Sequence, residues 1–320
     1  MAEHPVVAVA GEVLTDLVPG DEDGAFRAAP GGSPGNVAVG LARLGVPARM
    51  LARLSSDLLG RRLRAHLDRN GVDLSYAVAA REPSSLALVA LRPDGSAEYD
   101  FRLDGTADWQ WSEAELRTAL DGAAALCLGS LATVLEPGGT VLRDLARRAR
   151  PTATVVYDPN LRPAVTGLGP QVRAAVDELV GLADVVKVSE EDLAALEPGR
   201  PVLEVTGQWL ARGPSLVAVT LGGQGAAAVA AGGALVRRPG RRVEVIDTVG
   251  AGDSFQAALV HGLGQRGLLG TGSPDRLRSV DGATLSELLD HAIAAAAITC
   301  SRRGADPPTG AELTAAYAVS

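Results

Sequence analysis

The run Asp247-Thr248-Val249-Gly250-Ala251-Gly252-Asp253-Ser254-Phe255 gathers the residue types that chemistry on an anion requires. Gly250, Ala251 and Gly252 are small enough for the backbone to turn tightly and come close to a ligand. A strand-like run (Val243, Val245, Ile246) precedes them, and an apolar segment of helical character, Phe255 to Leu263, follows. The first turn of a helix leaves N–H groups without intrahelical partners, and its dipole favours an anion there. Asp253 falls at the same helix start. A carboxylate repels an anion unless it has a separate task. One task reconciles the two features: a base that takes the proton from a hydroxyl attacking a phosphoryl group. The other reading is a glycine-rich turn from strand to helix in which Asp253 serves as the N-cap.

Phosphoryl chemistry needs countercharge, and lysine can scarcely supply it. Lys187 is the only lysine in the 320 residues. It lies in Val185-Val186-Lys187-Val188-Ser189, which is neither a Walker A loop nor the strand lysine of a protein kinase. Phosphoryl transfer is therefore expected to rely on backbone N–H groups, arginine and Mg²⁺. The formal net charge of −8 argues against a nucleic-acid or anionic-membrane partner. With 47% hydrophobic residues the chain can build a single large α/β domain over residues 1–320. Cys127 and Cys300 sit far apart in apolar runs, as buried free thiols of a reducing cytosol do. No charged n-region followed by an apolar h-region marks a signal peptide, and a cytoplasmic location is expected. Ser215 to Val236 is long and weakly charged, but Gly222-Gly223-Gln224-Gly225 and Gly232-Gly233 interrupt it. Three short strands with tight turns are predicted there in place of a membrane span.

The elements that must position the chemistry can be read from the N-terminus. Val6 to Ala10 reads as a buried strand. The residues after it, Gly11 to Leu17, lack the GxGxxG of a dinucleotide-binding turn, which counts against a dehydrogenase. Asp16 lies in apolar company, where an unpaired carboxylate is costly. Either it caps a neighbouring element or it receives hydrogen bonds from a polyhydroxyl ligand. Asp21 to Gly24 reads as a turn. In Pro30-Gly31-Gly32-Ser33-Pro34-Gly35-Asn36 the glycines permit close backbone approach, and Asn36 opens a helix running to Gly45. Asn36 can both donate and accept, so a ligand contact and an ordinary cap both stand. Asp57 to Asn70 is an amphipathic helix stopped by Gly71. Ser85–Leu91 and Ala97–Arg102 flank Pro93-Asp94-Gly95 as a hairpin. Trp111 reads as core.

From there strands (Ala124–Leu128, Thr154–Tyr157, Asp184–Val188) alternate with helices (Thr140–Ala149, Val172–Leu182), and Leu285–Cys300 is a long alanine-rich helix. Such alternation means βαβ units and a mostly parallel sheet covered on both faces, with ligands beyond the carboxyl ends of the strands. Gly129, Asp158, Ser189, Thr220 and Gly250 are expected at those ends. Asp158-Pro159-Asn160-Leu161-Arg162 is a polar cluster after an apolar strand, and Ser189-Glu190-Glu191-Asp192 has the Ser-x-x-Asp pattern of a helix N-cap. The four histidines have neither metal spacing nor a fixed acidic partner.

The signature Asp247-Thr248-x-Gly250-Ala251-Gly252-Asp253 with Ser254 to Leu259 after it resembles the C-terminal signature of the ribokinase-like (PfkB) sugar kinases. Gly31-Gly32-x-Pro34-x-Asn36-Val37-Ala38-Val39-Gly40-Leu41-Ala42-Arg43-Leu44-Gly45 resembles the family's N-terminal motif, closest to its fructokinase branch. The resemblance implies a three-layer α/β/α sandwich with a mostly parallel sheet and a small β lid from segments about 13–29 and 85–102. It implies ATP- and Mg²⁺-dependent phosphorylation of a primary hydroxyl on a ketohexose, with fructose first. 2-Keto-3-deoxygluconate is the runner-up, other sugars and nucleosides come lower, and a sugar-binding pseudokinase is the remote alternative. By resemblance the anion hole falls on Gly250, Ala251 and Gly252, and the base is Asp253. Sugar contacts fall on Asp16, Gly31, Gly32 and Asn36, and Arg162 sits near the phosphates. Nucleotide contacts fall on Thr220, Gly222, Gly225, Asp247, Thr248 and Ser189, with Asp192 on Mg²⁺ through water. Activation by K⁺ is left open. Two departures stand out: Ser55 replaces the first glycine of Gly-x-Asp-x-x-Gly, and Ser189 and Asp192 replace the Asn and Glu of Asn-x-x-Glu. Ser85 to Leu91 is apolar at both odd and even positions, so a lid strand there has two faces to cover. A homodimer through the lid, or burial within one chain, would cover the second face.

Overall fold

Short apolar runs separated by amphipathic helices produce the alternation that the pattern predicts. The computed structural model describes residues 4–20, 24–91 and 97–318. Its strands are β1 (Val7–Ala10), β2 (Leu14–Pro19), β3 (Phe26–Gly31), β4 (Ala48–Leu51), β5 (Arg53–Ser55), β6 (Val78–Ala80) and β7 (Leu86–Leu91) in the first part of the chain. The later ones are β8 (Ala97–Arg102), β9 (Ala125–Gly129), β10 (Thr154–Asp158), β11 (Val185–Ser189), β12 (Leu216–Thr220), β13 (Ala226–Ala230) and β14 (Leu235–Arg238). Eight of them form one sheet in the order β14-β13-β12-β11-β10-β9-β1-β4. From β4 to β12 every pairing is parallel. β13 and β14 turn back antiparallel, because the links around Gly222–Gly225 and Gly232–Gly233 are too short for a crossover. The suspected membrane segment is therefore three strands, and no helix among the described residues is long and apolar enough to cross a membrane.

A parallel sheet must be covered on both faces, and the two-residue period of a strand divides the core accordingly. Val7 and Val9 of β1 join the apolar layer of the helices Ser33–Arg43, Ala251–Gln265 and Gly282–Cys300. Ala8 and Ala10 join the layer of Gly138–Ala149, Pro170–Leu182 and Val202–Leu210, which also takes in Trp109 and Trp111. This is the ribokinase-like three-layer α/β/α arrangement. Each fully buried Val or Leu contributes about 1.5–3 kcal/mol, so either layer alone carries substantial stabilisation. On the first face two helices come unusually close. A Cβ at Gly40 would lie 2.8 Å from the Ala257 Cβ, closer than real carbons pack.

A second sheet, in the order β3-β2-β7-β8, stands apart from the first. β2 pairs antiparallel with β3 and parallel with β7, and β8 completes a hairpin with β7. The expected turns at 21–23 and 93–95 lie outside the described residues. In β7 Ala87 is fully buried and Val89, on the same side, is half-buried, while Leu86 and Leu88 on the opposite side are both half-buried, so the Leu86–Leu88 side is only partly covered.

Several boundaries differ from the expectation. No strand forms at 243–246: Val245 is 61% and Ile246 59% exposed, and the segment runs irregularly along the protein. The main-chain N–H groups of Ile246 and Asp247 donate to the Cys300 carbonyl at 2.9 and 3.2 Å, so they pair with a helix end and no ladder is available to them. Gly250 accordingly caps a helix without ending a strand. The following helix starts at Ala251, not Phe255, because Gly250 takes the left-handed conformation (φ 75°) that ends the irregular run. Similarly, the helix expected to open at Asn36 starts at Ser33, with Pro34 in its first turn, where a missing N–H costs nothing. Ser55 stands in β5 without a positive φ, so glycine is not required there. Its hydroxyl accepts from the Asp57 N–H at 3.1 Å, and Asp57 caps the helix Leu58–Arg69 through Gly60 N–H at 2.7 Å. Cys127 is buried, but Cys300 is only half-buried; both are free thiols.

Two predictions follow from this packing. Gly40→Val must part the Ser33–Arg43 and Ala251–Gln265 helices, and over-packing of this kind costs about 1–3 kcal/mol. A lowered urea midpoint with unchanged secondary structure checks it. Glu12, in the loop after β1, is buried and receives the Ala132 N–H at 3.1 Å. Burial, reinforced by Asp108 and opposed by hydrogen bonds from Ser130 and the main chain, lifts its pKa from 4.5 to about 7. A raised acid pKa means that the folded state holds the proton more tightly. The associated stability is present below about pH 4.5 and lost as pH rises through about 7. Glu12→Gln cannot ionise, so its stability relative to the parent should grow between pH 5 and 8 by up to about 3 kcal/mol, at about 1.4 kcal/mol per pH unit. A difference that stays constant across that range would refute the assignment.

Candidate active site

The contact of Gly40 with Ala257 sets the geometry one helical turn away. Residues four apart lie on one face of a helix. Asn36 stands one turn before Gly40 and Asp253 one turn before Ala257, so the two helices also meet there. The Asn36 amide Nδ2 donates to Asp253 Oδ2 at 2.8 Å, and the Ser33 hydroxyl donates to Asp253 Oδ1 at 2.6 Å. Both carboxylate oxygens are thereby oriented by the N-terminal motif, more than two hundred residues earlier in the chain. Asp253 is not the N-cap. It lies in the first turn behind Gly250, and no side chain caps this helix. Among the described residues the N–H groups of Gly252 and Asp253 have no acceptor, so the helix start is open to an anion.

Neighbouring bonds hold the turn in place. Asp247 Oδ1 accepts from Val249 N–H at 3.0 Å and Oδ2 from Gly304 N–H at 2.8 Å. Asp247 thus braces the loop and does not line either cavity described below. Gly250 has two reasons to be glycine: its positive φ, and the Ala305 Cβ that would lie 2.6 Å from a Cβ. The Thr299 hydroxyl donates to Ser254 Oγ at 2.7 Å and ties the helix to Gly282–Cys300.

Two cavities meet at this helix start. One, of about 470 Å³, lies under the second sheet and is lined by Asp16, Gly32, Ser33, Asn36, Phe101, Arg162, Gly250 and Asp253 among others. The other, of about 370 Å³, is lined by Ser189, Asp192, Thr220, Gly222, Gly225, Ala251 and the Ile293–Cys300 stretch. They share Asn160, Lys187, Thr248 and Gly252.

Asp16 caps nothing. Among the described residues its carboxylate accepts no hydrogen bond, although it stands on β2 facing the first cavity. Burial raises its pKa from 3.8 to about 6, with Asp253 acting in the same direction and Arg162 against it. Gly31 serves Asp16 in place of lining the cavity, since a Cβ there would lie inside the Asp16 carboxylate, 2.3 Å from Oδ2. Gly32 takes φ 96° and brings its backbone against the Glu12 carbonyl. Arg162, expected near the phosphates, lies on the Asp16 side. It donates to Asn160 O and Oδ1 and to Leu161 O at 2.8–3.1 Å.

On the other side Ser189 caps the helix Glu190–Leu196, accepting from Asp192 N–H at 3.0 Å. Asp192 Oδ1 in turn accepts from Leu161 N–H at 3.0 Å. Among the described residues no group of three or more His, Cys, Asp or Glu side chains could hold a metal ion. His261 and His291 bond to each other at 2.9 Å, away from both cavities.

Two residues at this place escaped the sequence reading. Ser33 sat within the recognised motif, but only the helix crossing reveals its bond to Asp253. Lys187 was set aside because it fits no lysine motif. It is buried at the junction of the cavities and donates to Asp158 Oδ2 at 2.7 Å. A lone lysine inside an otherwise apolar strand was the available signal.

Residues 5–311 match the model of the pfkB family carbohydrate kinases. A fructokinase from rice (Oryza sativa subsp. japonica) is 37% identical over 319 residues, covering 95% of this chain and 94% of the relative. Among solved structures, fructokinase from Xylella fastidiosa with bound ATP superposes with a TM-score of 0.90 at 26% identity, covering 98% of both chains. A fructokinase double mutant from Vibrio cholerae O395, holding fructose, ADP and a potassium ion, gives 0.83 at 27% identity over 99% of each chain. With nearly the whole length accounted for in sequence and in fold alike, the chain belongs to the pfkB family of carbohydrate kinases.

Proposed function

We propose that the protein transfers the terminal phosphoryl group of ATP to a primary hydroxyl of a ketohexose, with fructose as the substrate. The observation that carries this reading is the meeting of two cavities at an open helix N-terminus, with Asp253 on one side only. The larger cavity takes the sugar, and Asp16, with an unsatisfied carboxylate, accepts its hydroxyls. Asn36, while bonded to Asp253, lines the same space. The other takes ATP, with Thr220, Gly222 and Gly225 beside the phosphates and the Ile293–Cys300 face beside the base. Asp253 takes the proton of the sugar hydroxyl. The hydroxyl oxygen bonds to phosphorus as the bond to the β-phosphate oxygen breaks, and ADP leaves. The N–H groups of Gly250, Gly252 and Asp253 receive the charge on the phosphoryl oxygens, whereas that of Ala251, also expected there, already donates to the Thr248 carbonyl at 3.3 Å.

Mg²⁺ would be held mainly by ATP, since among the described residues no group of three or more His, Cys, Asp or Glu side chains forms a cage. Asp192 and Glu191 line the nucleotide side and would reach it through water, which suits an ion that keeps most of its hydration. The ion would supply neutralisation of phosphate charge. K⁺ activation, a cytoplasmic location and a homodimer through the second sheet complete the proposal; the half-buried Leu86 and Leu88 support the last.

Arg162 favours one second reading. A guanidinium on the sugar side suits the carboxylate of a sugar acid, so 2-keto-3-deoxygluconate is the competing substrate. Release of ADP by the purified protein over a panel of sugars decides between them. Fructose should give the highest kcat/KM. A higher value for the keto acid would replace the substrate, and no sugar-dependent release at all would remove the kinase reading.

Asp253→Asn should lower kcat by roughly 10²–10⁴, the usual loss on removing a general base, with ATP affinity little changed. Near-normal turnover would sink the assignment. Asp16→Ala should raise the sugar KM far more than the ATP KM, because a buried partner of substrate hydroxyls is lost. Equal effects on both would make Asp16 structural.

A further inference from the structure

A lysine on β11, inside the parallel part of the eight-stranded sheet, calls for a physical reason. Lys187 is 4% exposed and Asp158, its partner on the adjacent strand, 2%. The ammonium has three N–H groups, and only the bond to Asp158 Oδ2 is made among the described residues. Asp158 Oδ1 is buried with no hydrogen-bond partner. A buried ion pair with unsatisfied atoms is weak support for a fold, and an apolar pair of similar volume would serve as well or better. The pair is therefore poorly explained by stability.

Its location supplies the explanation. The Lys187 side chain lines both cavities, and a Cβ at Gly252 would lie 3.0 Å from Nζ. The ammonium thus lies against the backbone of the anion-binding turn, at the place where the sugar and nucleotide sides join. Asp253 and Asp192 also act on it electrostatically. Burial works against its charge, but Asp158 and these carboxylates outweigh that and raise its pKa above the ordinary lysine value. Of the four residues shared by the two cavities, only Lys187 carries a positive charge.

We propose that Lys187 is a catalytic residue of the phosphoryl transfer: its ammonium, anchored by Asp158, uses its remaining N–H groups to bind oxygens of the terminal phosphoryl group of the nucleoside triphosphate as that group passes from one cavity to the other. Asp158 is a positioning residue. It fixes the ammonium beneath the helix start and keeps it protonated, so that a cation is in place before the substrate arrives and no reorganisation is needed during the step. Glycine at 252 leaves room for the phosphoryl group to reach it. The inference rests on the phosphotransferase reading and deepens it.

Lys187→Met and the double variant Lys187→Met/Asp158→Asn test it, the second leaving no lone buried charge that could compromise folding. In both, kcat for the sugar should fall on the order of 10²–10³-fold, as on loss of one preorganised donor. Affinity for ATP, measured by calorimetry, should fall at least about tenfold, as on loss of a charged hydrogen bond. ADP and sugar affinity should stay at the parental values, because neither ligand carries the terminal phosphoryl group. Equal weakening of ATP and ADP, or undiminished kcat in the double variant, would make the pair structural and overturn the proposal. The nucleotide comparison needs no sugar. If the parent protein turned over no sugar in the panel, the kinase reading would fail while the ATP-to-ADP contrast still decided Lys187.

Discussion

Everything at the site depends on how closely two helices approach. Gly40 removes the side chain that would hold Ser33–Arg43 away from Ala251–Gln265, and Ala257 fills the space left with a single methyl. One turn toward the N-terminus of both helices, that proximity lets Ser33 and Asn36 reach the two oxygens of Asp253. A carboxylate oriented by two donors is held at a defined angle to the cavity, and a proton acceptor must have such a defined position before a hydroxyl is presented to it. A slackening of the packed core by a few tenths of an ångström would therefore be felt at Asp253.

The surroundings of the site combine costly burial with deliberate openness. Glu12, Asp16, Asp108 and Asp158 all have their carboxyl pKa values raised by burial. Glu12 and Asp108 are answered by main-chain N–H groups at Ala132 and Val13, and they brace the loops around the first cavity. Asp16 and one oxygen of Asp158 are not answered among the described residues. Groups that carry a desolvation cost without a protein partner are best explained by a partner that comes and goes. On the proposed function Asp16 would receive hydroxyls and the Lys187–Asp158 pair phosphoryl oxygens, so the two deficits would mark the two halves of one reaction path.

The second cavity follows from a different constraint. The sheet changes from parallel to antiparallel at β12, where the Gly222–Gly225 turn replaces a crossover helix. The irregular segment 239–249 starts against that turn, where Gly225 leaves room for the backbone of Pro239 and Gly240, and is secured by the Cys300 carbonyl. Val243 and Val245 remain partly exposed there and form an apolar wall of the second cavity. The residues that looked like a strand are thus a lining, and the N–H groups of Ile246 and Asp247 just after them are bonded to a helix end.

The sequence by itself determined the alternating layer architecture, the strands β1, β7 and β8 and those from β9 to β14, and the two motifs, Gly31–Asn36 and Asp247–Asp253. These depend on short-range rules: hydrophobic periods of two and 3.6, glycine where the backbone must turn, and the small residues of an anion-binding turn. The sequence also placed Asp16, Arg162, Ser189 and Asp192 at the ends of strands or in the loops beside them. What each of these touches was decided only by the tertiary structure, since hydrogen-bond partners lie as much as 220 residues apart. Asn36 was legible as donor and acceptor but not as the partner of Asp253, and Arg162 proved to line the cavity of Asp16. Ser189 proved a cap, and Asp247 a brace for its loop. Lys187 shows the limit most clearly. No local spacing marks it, because its role arises from the parallel neighbour β10, which brings Asp158 alongside, and from a helix start that packs over both.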